Sequence, residues 1–410
     1  MTAAAVGFVL HFGRNAPWAD EWEMVPGLVN DTPLGPWLWA QHNEHRLPLP
    51  RLVWWALFQL TRDFRAGTLA QVTVLAAAAL GLMRLAARLR GRPSVADLFF
   101  PAGLLHWGHV ENLVMGYQVN FALTLAGVVG LLALAATVVP ATRGRTGVAA
   151  GVVLILLELT GGSGLMYVPA VGGWLLWLAA AEWRAGRRGT AVGIIGLVAA
   201  AVGYVGVYLV GYHRPATHPP PAWGDPGRIG AVFAQVLAMA FGGGAIPAWP
   251  AAAAGTTAAA AVTLTRRSPM GLLAVLGGVL TLAAAIAVGR SGFSSPYIGL
   301  WSRYAVLVWP ALAAGYLAAV AAGRGWVTAA LCGGMLAALP ANTLFGWQWA
   351  TGYASEMDRL EADVRAGLPP AEVIRRGRYL SEIDRDEQIA HGIRRLKETG
   401  FGYFAGAAVP

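Results

Sequence analysis

Long runs of Ala, Val, Leu and Gly recur from near the N-terminus to about residue 345, and they are apolar on every face. Neither a half-buried strand nor an amphipathic helix of a soluble domain reads this way, because each alternates apolar with polar positions at a fixed period. A membrane β-barrel would alternate too. Runs of this kind belong in a lipid bilayer as helices. Charge content agrees, since 12% of residues are charged against roughly 25% in an ordinary soluble domain. Apolar segments fall near 2–13, 48–61, 67–84, 95–107, 118–139, 147–160, 164–182, 190–212, 229–264, 270–288, 301–322 and 326–345. The expected fold is therefore all-α: a polytopic transmembrane bundle of about ten to twelve membrane helices over 1–345, with a small helical extramembrane segment over 346–410.

Arginine placement sets the expected orientation. Arg84, Arg88, Arg90 and Arg92, then Arg143 and Arg145, Arg184, Arg187 and Arg188, Arg266 and Arg267, and Arg324 mark cytoplasmic turns. Loops 14–47, 107–117, 212–228 and 289–300 and the C-terminal tail then face outward, as in a bacterial plasma-membrane protein. One parity conflict arises. An odd number of crossings must separate loop 14–47 from the 84–92 arginines, yet two apolar segments lie between them. Either 48–61 is not a full span or the arginines break the rule.

The net charge of +9 resides in the membrane portion, because residues 351–410 carry nearly balanced charge. Arginines at helix ends facing anionic lipid account for it, and nucleic acid is not an expected partner. Cys332 is the one cysteine, which excludes an intrachain disulfide and a cysteine-based zinc site. The start lacks the basic region of a cleavable leader. Its first apolar run, Thr2–Gly13, is about 20 Å long as a helix, against about 30 Å of hydrocarbon. The expectation is an upstream N-terminus or a helix reaching only partway. In the tail, Ser355 reads as the N-cap of an amphipathic helix with acids in its first turn. Leu368-Pro-Pro ends that helix, and Ala371–Lys397 continues as charged helix, a solvated cap without chemistry of its own.

Acids are scarce and unevenly placed. Of 21 Asp and Glu, ten lie after residue 350 and five of the remaining eleven lie between Asp20 and Glu44. A membrane protein that concentrates its carboxylates in one loop is using that loop. There, Pro17-Trp-Ala-Asp-Glu-Trp-Glu places Asp20, Glu21 and Glu23 beside interfacial tryptophans 18, 22, 37 and 39. A partly desolvated carboxylate at that depth can act as a general base toward an acceptor hydroxyl. The competing reading is a hydrated loop whose acids cap a helix.

Three further polar clusters interrupt apolar sequence. His42, Glu44, His45 and Arg46 precede a helix and suit substrate binding, acid–base work or structural hydrogen bonding. A divalent metal is possible but not indicated, since no third ligand follows at a fixed spacing and the His-Glu-x-x-His pattern is absent. His106-Trp-Gly-His-Val-Glu-Asn-Leu-Val-Met-Gly-Tyr-Gln carries His109, Glu111, Asn112 and Gln118 at membrane depth, where such groups line a cavity or bond one another. Gly289-Arg-Ser-Gly-Phe-Ser-Ser-Pro and Trp301-Ser-Arg-Tyr contribute Arg290, Arg303 and Tyr304. Two outer-side arginines run against the positive-inside trend. They suit an anionic ligand, because guanidinium pairs with phosphate through paired hydrogen bonds. Snorkelling to headgroups is the alternative. His213, Arg214 and His218 in the Pro-rich loop are candidates of the same kind.

An acidic loop after the first helix, a His-rich entry into the next and an arginine on a late outer loop together resemble the GT-C superfamily of membrane glycosyltransferases, which includes the protein O-mannosyltransferases and aminoarabinose transferases. Gln41-His-Asn-Glu-His-Arg, Val110-Glu-Asn-Leu-Val-Met-Gly-Tyr-Gln and Ser302-Arg-Tyr look like motifs of a group of bacterial multi-pass proteins of that type. The resemblance covers roughly residues 1–345. It implies that Asp20 or Glu21 activates the acceptor and that Arg303 or Arg290 holds the phosphate of a polyprenyl-phosphate sugar. The remaining cluster residues, Glu23, His42, Glu44, His45, Arg46, His109, Glu111, Asn112, Gln118 and Tyr304, are expected to bind substrate. The implied partners are that donor, membrane lipid, and a glycan, lipid or protein acceptor.

The same features leave other functions open. A transporter or lipid flippase would carry broken helices near the bilayer midplane, often in two repeated halves. Gly242-Gly-Gly with Pro247 and Pro250 breaks a helix, but no internal repeat is visible. An outer-side ligase or polymerase using lipid-linked glycans and a non-catalytic scaffold complete the alternatives.

Overall fold

The computed structural model describes residues 1–265, 269–377 and 386–405. Arg266 and Arg267, and the 378–385 part of the expected charged tail helix, lie outside the described residues. The principal helices are α1 (Thr2–Phe12), α2 (Pro48–Thr61), α3 (Arg65–Arg90), α4 (Val119–Thr137), α5 (Arg143–Glu158), α6 (Val168–Arg184), α7 (Arg188–Leu209), α8 (Pro226–Ala238), α9 (Trp249–Ala261), α10 (Met270–Arg290), α11 (Pro310–Ala321), α12 (Gly325–Arg365), α13 (Pro370–Arg376) and α14 (Asp386–Glu398). Among the described residues one two-residue antiparallel pair is the only β-structure. The chain is an all-α, multi-pass membrane bundle.

Among the described residues, six helices are long and apolar enough to cross a membrane: α3, α4 with its leading turn from Gly116, α7, α10, α11 with its leading turns from Ser302, and α12. The other apolar segments fold into shorter pieces, which is why this count is below ten. Helices α5 and α6 have 16 and 17 residues. Segment 95–118 is a string of short turns. Irregular backbone at such a depth persists where protein surrounds it. Here Phe99, Phe100, Leu104 and Leu113 are fully buried, with Phe99 stacked 4.9 Å from Tyr316 and 5.4 Å from Trp309. The helix break at Gly242 (φ +86°) is stitched to α12 by Asn342. Its amide donates to the Phe241 carbonyl at 2.8 Å and its oxygen accepts from Gly244 N–H at 2.9 Å.

The parity conflict resolves at α2. Its 14 residues extend about 21 Å, and it runs along the 14–47 loop over its whole length. Arg51 donates to the Trp37 carbonyl, Trp55 to Asn30, Gln59 to the Leu28 carbonyl, and the Arg62 carbonyl accepts from Asn15. Both ends of α2 therefore lie on the loop's side. The 26-residue α3, about 39 Å long, makes the crossing alone.

The two ends of the bundle differ in charge chemistry. At one end Arg90 forks onto Asp97 at 2.9 Å and Arg187 onto Glu182 at 2.5 and 2.8 Å. Arg84 and Arg88 line a groove with Thr137, at the end of α4 that leads into the Arg143–Arg145 turn. Loop 14–47, the β-pair, the 210–225 segment and the α10–α11 connection gather at the other end.

The tail joins that second end. Ser355 does not start a new helix: α12 runs unbroken through 41 residues, with Pro340 inside it. At about 62 Å it is twice the hydrocarbon thickness, so its last turns project beyond the bundle. It stops at Arg365, before Gly367 (φ +73°) and the Pro369-Pro370 pair.

Candidate functional site

The acidic segment folds as a 3-10 helix, Ala19–Met24, whose side chains leave in different directions. Glu21 points into the bundle and is fully buried. One of its oxygens accepts the Trp18 N–H at 2.9 Å and the other the Tyr117 N–H at 3.0 Å. Burial raises its pKa to about 8, against the pull of those backbone donors. Glu21 thus anchors the loop to the 116–118 turn. That turn lies close against α3, because a Cβ on Gly67 would sit 2.5 Å from the Gly116 carbonyl oxygen. Trp22, on the opposite side, packs against Phe404 of the tail.

Asp20 and Glu23 instead meet His42. The imidazole Nδ1 donates to Glu23 at 2.5 Å, and Nε2 lies 3.9 Å from an Asp20 oxygen. Burial opposes the charged ring, but the pull of the Asp20 and Glu23 carboxylates prevails and raises it to about 9. At neutral pH His42 is an imidazolium bridging two carboxylates, both partly exposed.

His42 and His45 lie in a hairpin that leads directly into α2. They face one another across an antiparallel pair, Gln41–His42 with His45–Arg46. Asn43 opens its turn with φ +47°, a conformation Asn tolerates better than most side chains. The turn directs Glu44 away from His42 and toward Arg290, whose guanidinium donates at 2.7 Å. His218 Nδ1 lies 3.3 Å from the second Glu44 oxygen, and His45 Nε2 lies 3.8 Å from the first. Burial works against charge on Glu44, yet His45, Arg290 and His218 lower it to about 2. Arg290 also lies within electrostatic reach of the Tyr304 hydroxyl and of Asp20. The acid array and the cation array therefore share one end of the bundle, joined through the hairpin.

Arg46 stands apart from this chemistry. Its guanidinium donates to the carbonyls of Trp39, Tyr208 and Val210, and its N–H to the Tyr208 hydroxyl. It clamps the hairpin to the C-terminal end of α7, where helix carbonyls lack partners of their own. Arg51 does similar work on the Trp37 and Ala40 carbonyls. Arg51 and Tyr208 were not singled out in the sequence, because nothing local distinguishes them from ordinary interfacial residues.

The remaining candidates form a buried seam. Glu111 accepts from the Ser302 hydroxyl at 2.7 Å and the Arg303 N–H at 3.1 Å, while Asn112 donates to the Arg303 carbonyl at 3.1 Å. Two motifs 191 residues apart in sequence thus dock on each other. His109 bonds the Leu104 carbonyl at 3.0 Å, and Gln118 donates to the Met115 sulfur. Both are buried, away from the acid array's direct contacts. Arg303 differs: its guanidinium lies 3.9 Å above the Trp301 ring, with no carboxylate partner among the described residues. Among the described residues, no group of three His, Cys, Asp or Glu is placed to hold a metal ion.

The tail covers the outer side of the acidic loop. Asp31 pairs with His391 and Arg395, each at 3.0 Å, and Arg14 donates to Asp358 at 2.6 and 3.1 Å. Phe401 stacks on Phe58 at 5.0 Å. No family model, curated protein or solved structure matches this chain.

Proposed function

We propose that this chain is a membrane glycosyltransferase, moving a sugar from a polyprenyl-phosphate donor to an acceptor hydroxyl at the outer face of a bacterial plasma membrane. The observation that carries the reading is the hairpin's junction of two arrays: carboxylates Asp20 and Glu23 on His42, and Arg290 with His218 on Glu44. The resemblance of the motifs to GT-C enzymes supports the same reading.

The chemistry needs both arrays. The acceptor oxygen attacks the anomeric carbon as the bond from that carbon to the phosphate oxygen breaks, and the lipid phosphate leaves with the electron pair. Asp20 takes the acceptor proton, since Glu21 is committed to backbone donors and His42 already carries its proton. Arg303, whose guanidinium has no carboxylate partner among the described residues, and Arg290 offset the charge that grows on the leaving phosphate. A lipid-linked donor presents that phosphate at headgroup level, where a membrane-interface loop can reach it.

The test is incubation of the purified protein with a panel of radiolabelled polyprenyl-phosphate sugars, wild type beside Asp20→Asn. Transfer or sugar release by the wild type alone supports the transferase. Absence of donor binding across the panel moves the reading to a transporter, which the helix break at Gly242 would then serve.

A further inference from the structure

We propose that Glu44 is an internal stand-in for the ligand's phosphate: its carboxylate occupies the anion position between Arg290, His218 and His45, and an entering phosphoryl group displaces it. The identity of the natural ligand rests on the donor reading above, whereas the displacement itself needs only phosphate chemistry.

Three groups from three segments converge on this one carboxylate. Arg290 ends α10, His218 comes from the Pro-rich loop, and His45 comes from the far side of the hairpin. The partners outnumber the anion. One Glu44 oxygen is buried without an aligned hydrogen bond, although His218 lies 3.3 Å away. In this seat the carboxylate hydrogen-bonds Arg290 at 2.7 Å and leaves His218 and His45 at 3.3 and 3.8 Å, whereas a tetrahedral phosphate presents an oxygen to each. Tyr304 lies within electrostatic reach of the same Arg290, which brings the segment that carries Arg303 toward this seat.

The hairpin is built so that Glu44 can leave. Its backbone is held without the Glu44 side chain: Arg46 bonds three carbonyls, and the Gln41 amide exchanges hydrogen bonds with the His213 backbone at 2.5 and 3.2 Å. Glu44 sits at the tip of a two-residue turn and remains 26% exposed at its side chain. A rotamer change therefore takes the carboxylate out while Arg290 and the two imidazoles keep their places.

Inorganic phosphate binding to the detergent-purified full chain, measured by calorimetry, tests this. An occupied clamp lowers apparent affinity by the fraction of molecules in which it is open, so Glu44→Gln should bind phosphate about tenfold more tightly than wild type. Glu44→Asp keeps the charge for folding but withdraws it by one methylene, and its affinity should fall between the two. Arg290→Lys should lose most of the binding. Equal or weaker binding by both Glu44 variants overturns the proposal, as does full binding by Arg290→Lys. Farnesyl phosphate added as competitor separates the ligand sources. Displacement of inorganic phosphate supports a lipid-linked ligand. Tighter phosphate binding by Glu44→Gln without such displacement supports the stand-in and removes the polyprenyl donor reading.

Discussion

The Glu111 carboxylate receives the backbone N–H of Arg303 at 3.1 Å, while the guanidinium of Arg303 lies 3.9 Å over Trp301 with no acid beside it among the described residues. An acid thus fixes the arginine's main chain and leaves its charge available. Glu111→Gln retains the shape but removes the charged acceptor for Ser302 and Arg303. It should lower stability by about 1–3 kcal/mol and weaken donor binding. Arg303→Ala should weaken donor binding with little change in the thermal midpoint. Thermal denaturation and donor affinity, measured on both variants, check this. Unchanged donor affinity in Arg303→Ala removes it from the phosphate clamp.

Asp20 and Glu21 are neighbours with opposed tasks. Asp20→Asn should lower transfer by about a hundredfold or more while the protein folds and inserts normally. Glu21→Gln leaves the base in place but loosens the tie to Tyr117 N–H, so the thermal midpoint should fall while the folded fraction keeps most of its turnover. Turnover per folded molecule, assayed for each variant, decides the assignment. The reverse pattern would transfer the base to Glu21.

Stability should fall toward both extremes of pH. His42 is raised from 6.5 to about 9 in the fold, so its contribution is present below 6.5 and lost as pH rises through 9. Glu21, raised from 4.5 to about 8, acts in the same direction, being lost as pH rises through 8. Glu44, lowered from 4.5 to about 2, contributes above 4.5 and loses that contribution as pH falls toward 2. Thermal midpoints across this range should show both limbs, and His42→Gln should make the alkaline limb shallower. An alkaline limb of unchanged slope in that variant would detach His42 from the two carboxylates.

Apolar runs alone made the all-α membrane class legible, because backbone groups in lipid must pair within helices. Lengths were less legible: segment 95–118 and the Gly242 break fold irregularly because Phe99, Trp309, Tyr316 and Asn342 enclose or bond them, contacts that no local window contains. The site was legible as residue types and not as partners. Glu44 stood out as an acid near two histidines, yet its closest partner is Arg290, 246 positions away. Arg46 looked like a ligand-binding arginine because its three carbonyl partners arrive only when α7 docks. Ser355 looked like a cap because polar sequence follows it, but a helix leaving a membrane changes composition without ending.

The tail, expected to be a solvated cap, instead has a positional role that can be tested. Helix α14 buries Ile389, Ile393 and Leu396, and its Gly392 lies against Trp22, the residue between Glu21 and Glu23. A Cβ at position 392 would meet the Trp22 ring at 2.9 Å, too close for van der Waals contact, and a longer side chain would lift the helix off the loop. Gly392→Leu should therefore release the tail and shift the 3-10 helix that aims Asp20 and Glu23 at His42. Overpacking of this kind costs about 1–3 kcal/mol, less than the bundle's own cohesion, so the transmembrane part should stay folded. Limited proteolysis should cut the variant within 366–405 faster than wild type, and transfer should fall with the loop's order. Asp31→Asn, which removes the partner of His391 and Arg395 without adding bulk, should give a milder form of both effects. If Gly392→Leu is cleaved rapidly but transfers at the wild-type rate, the tail is a cover and the loop holds its geometry through Glu21 alone.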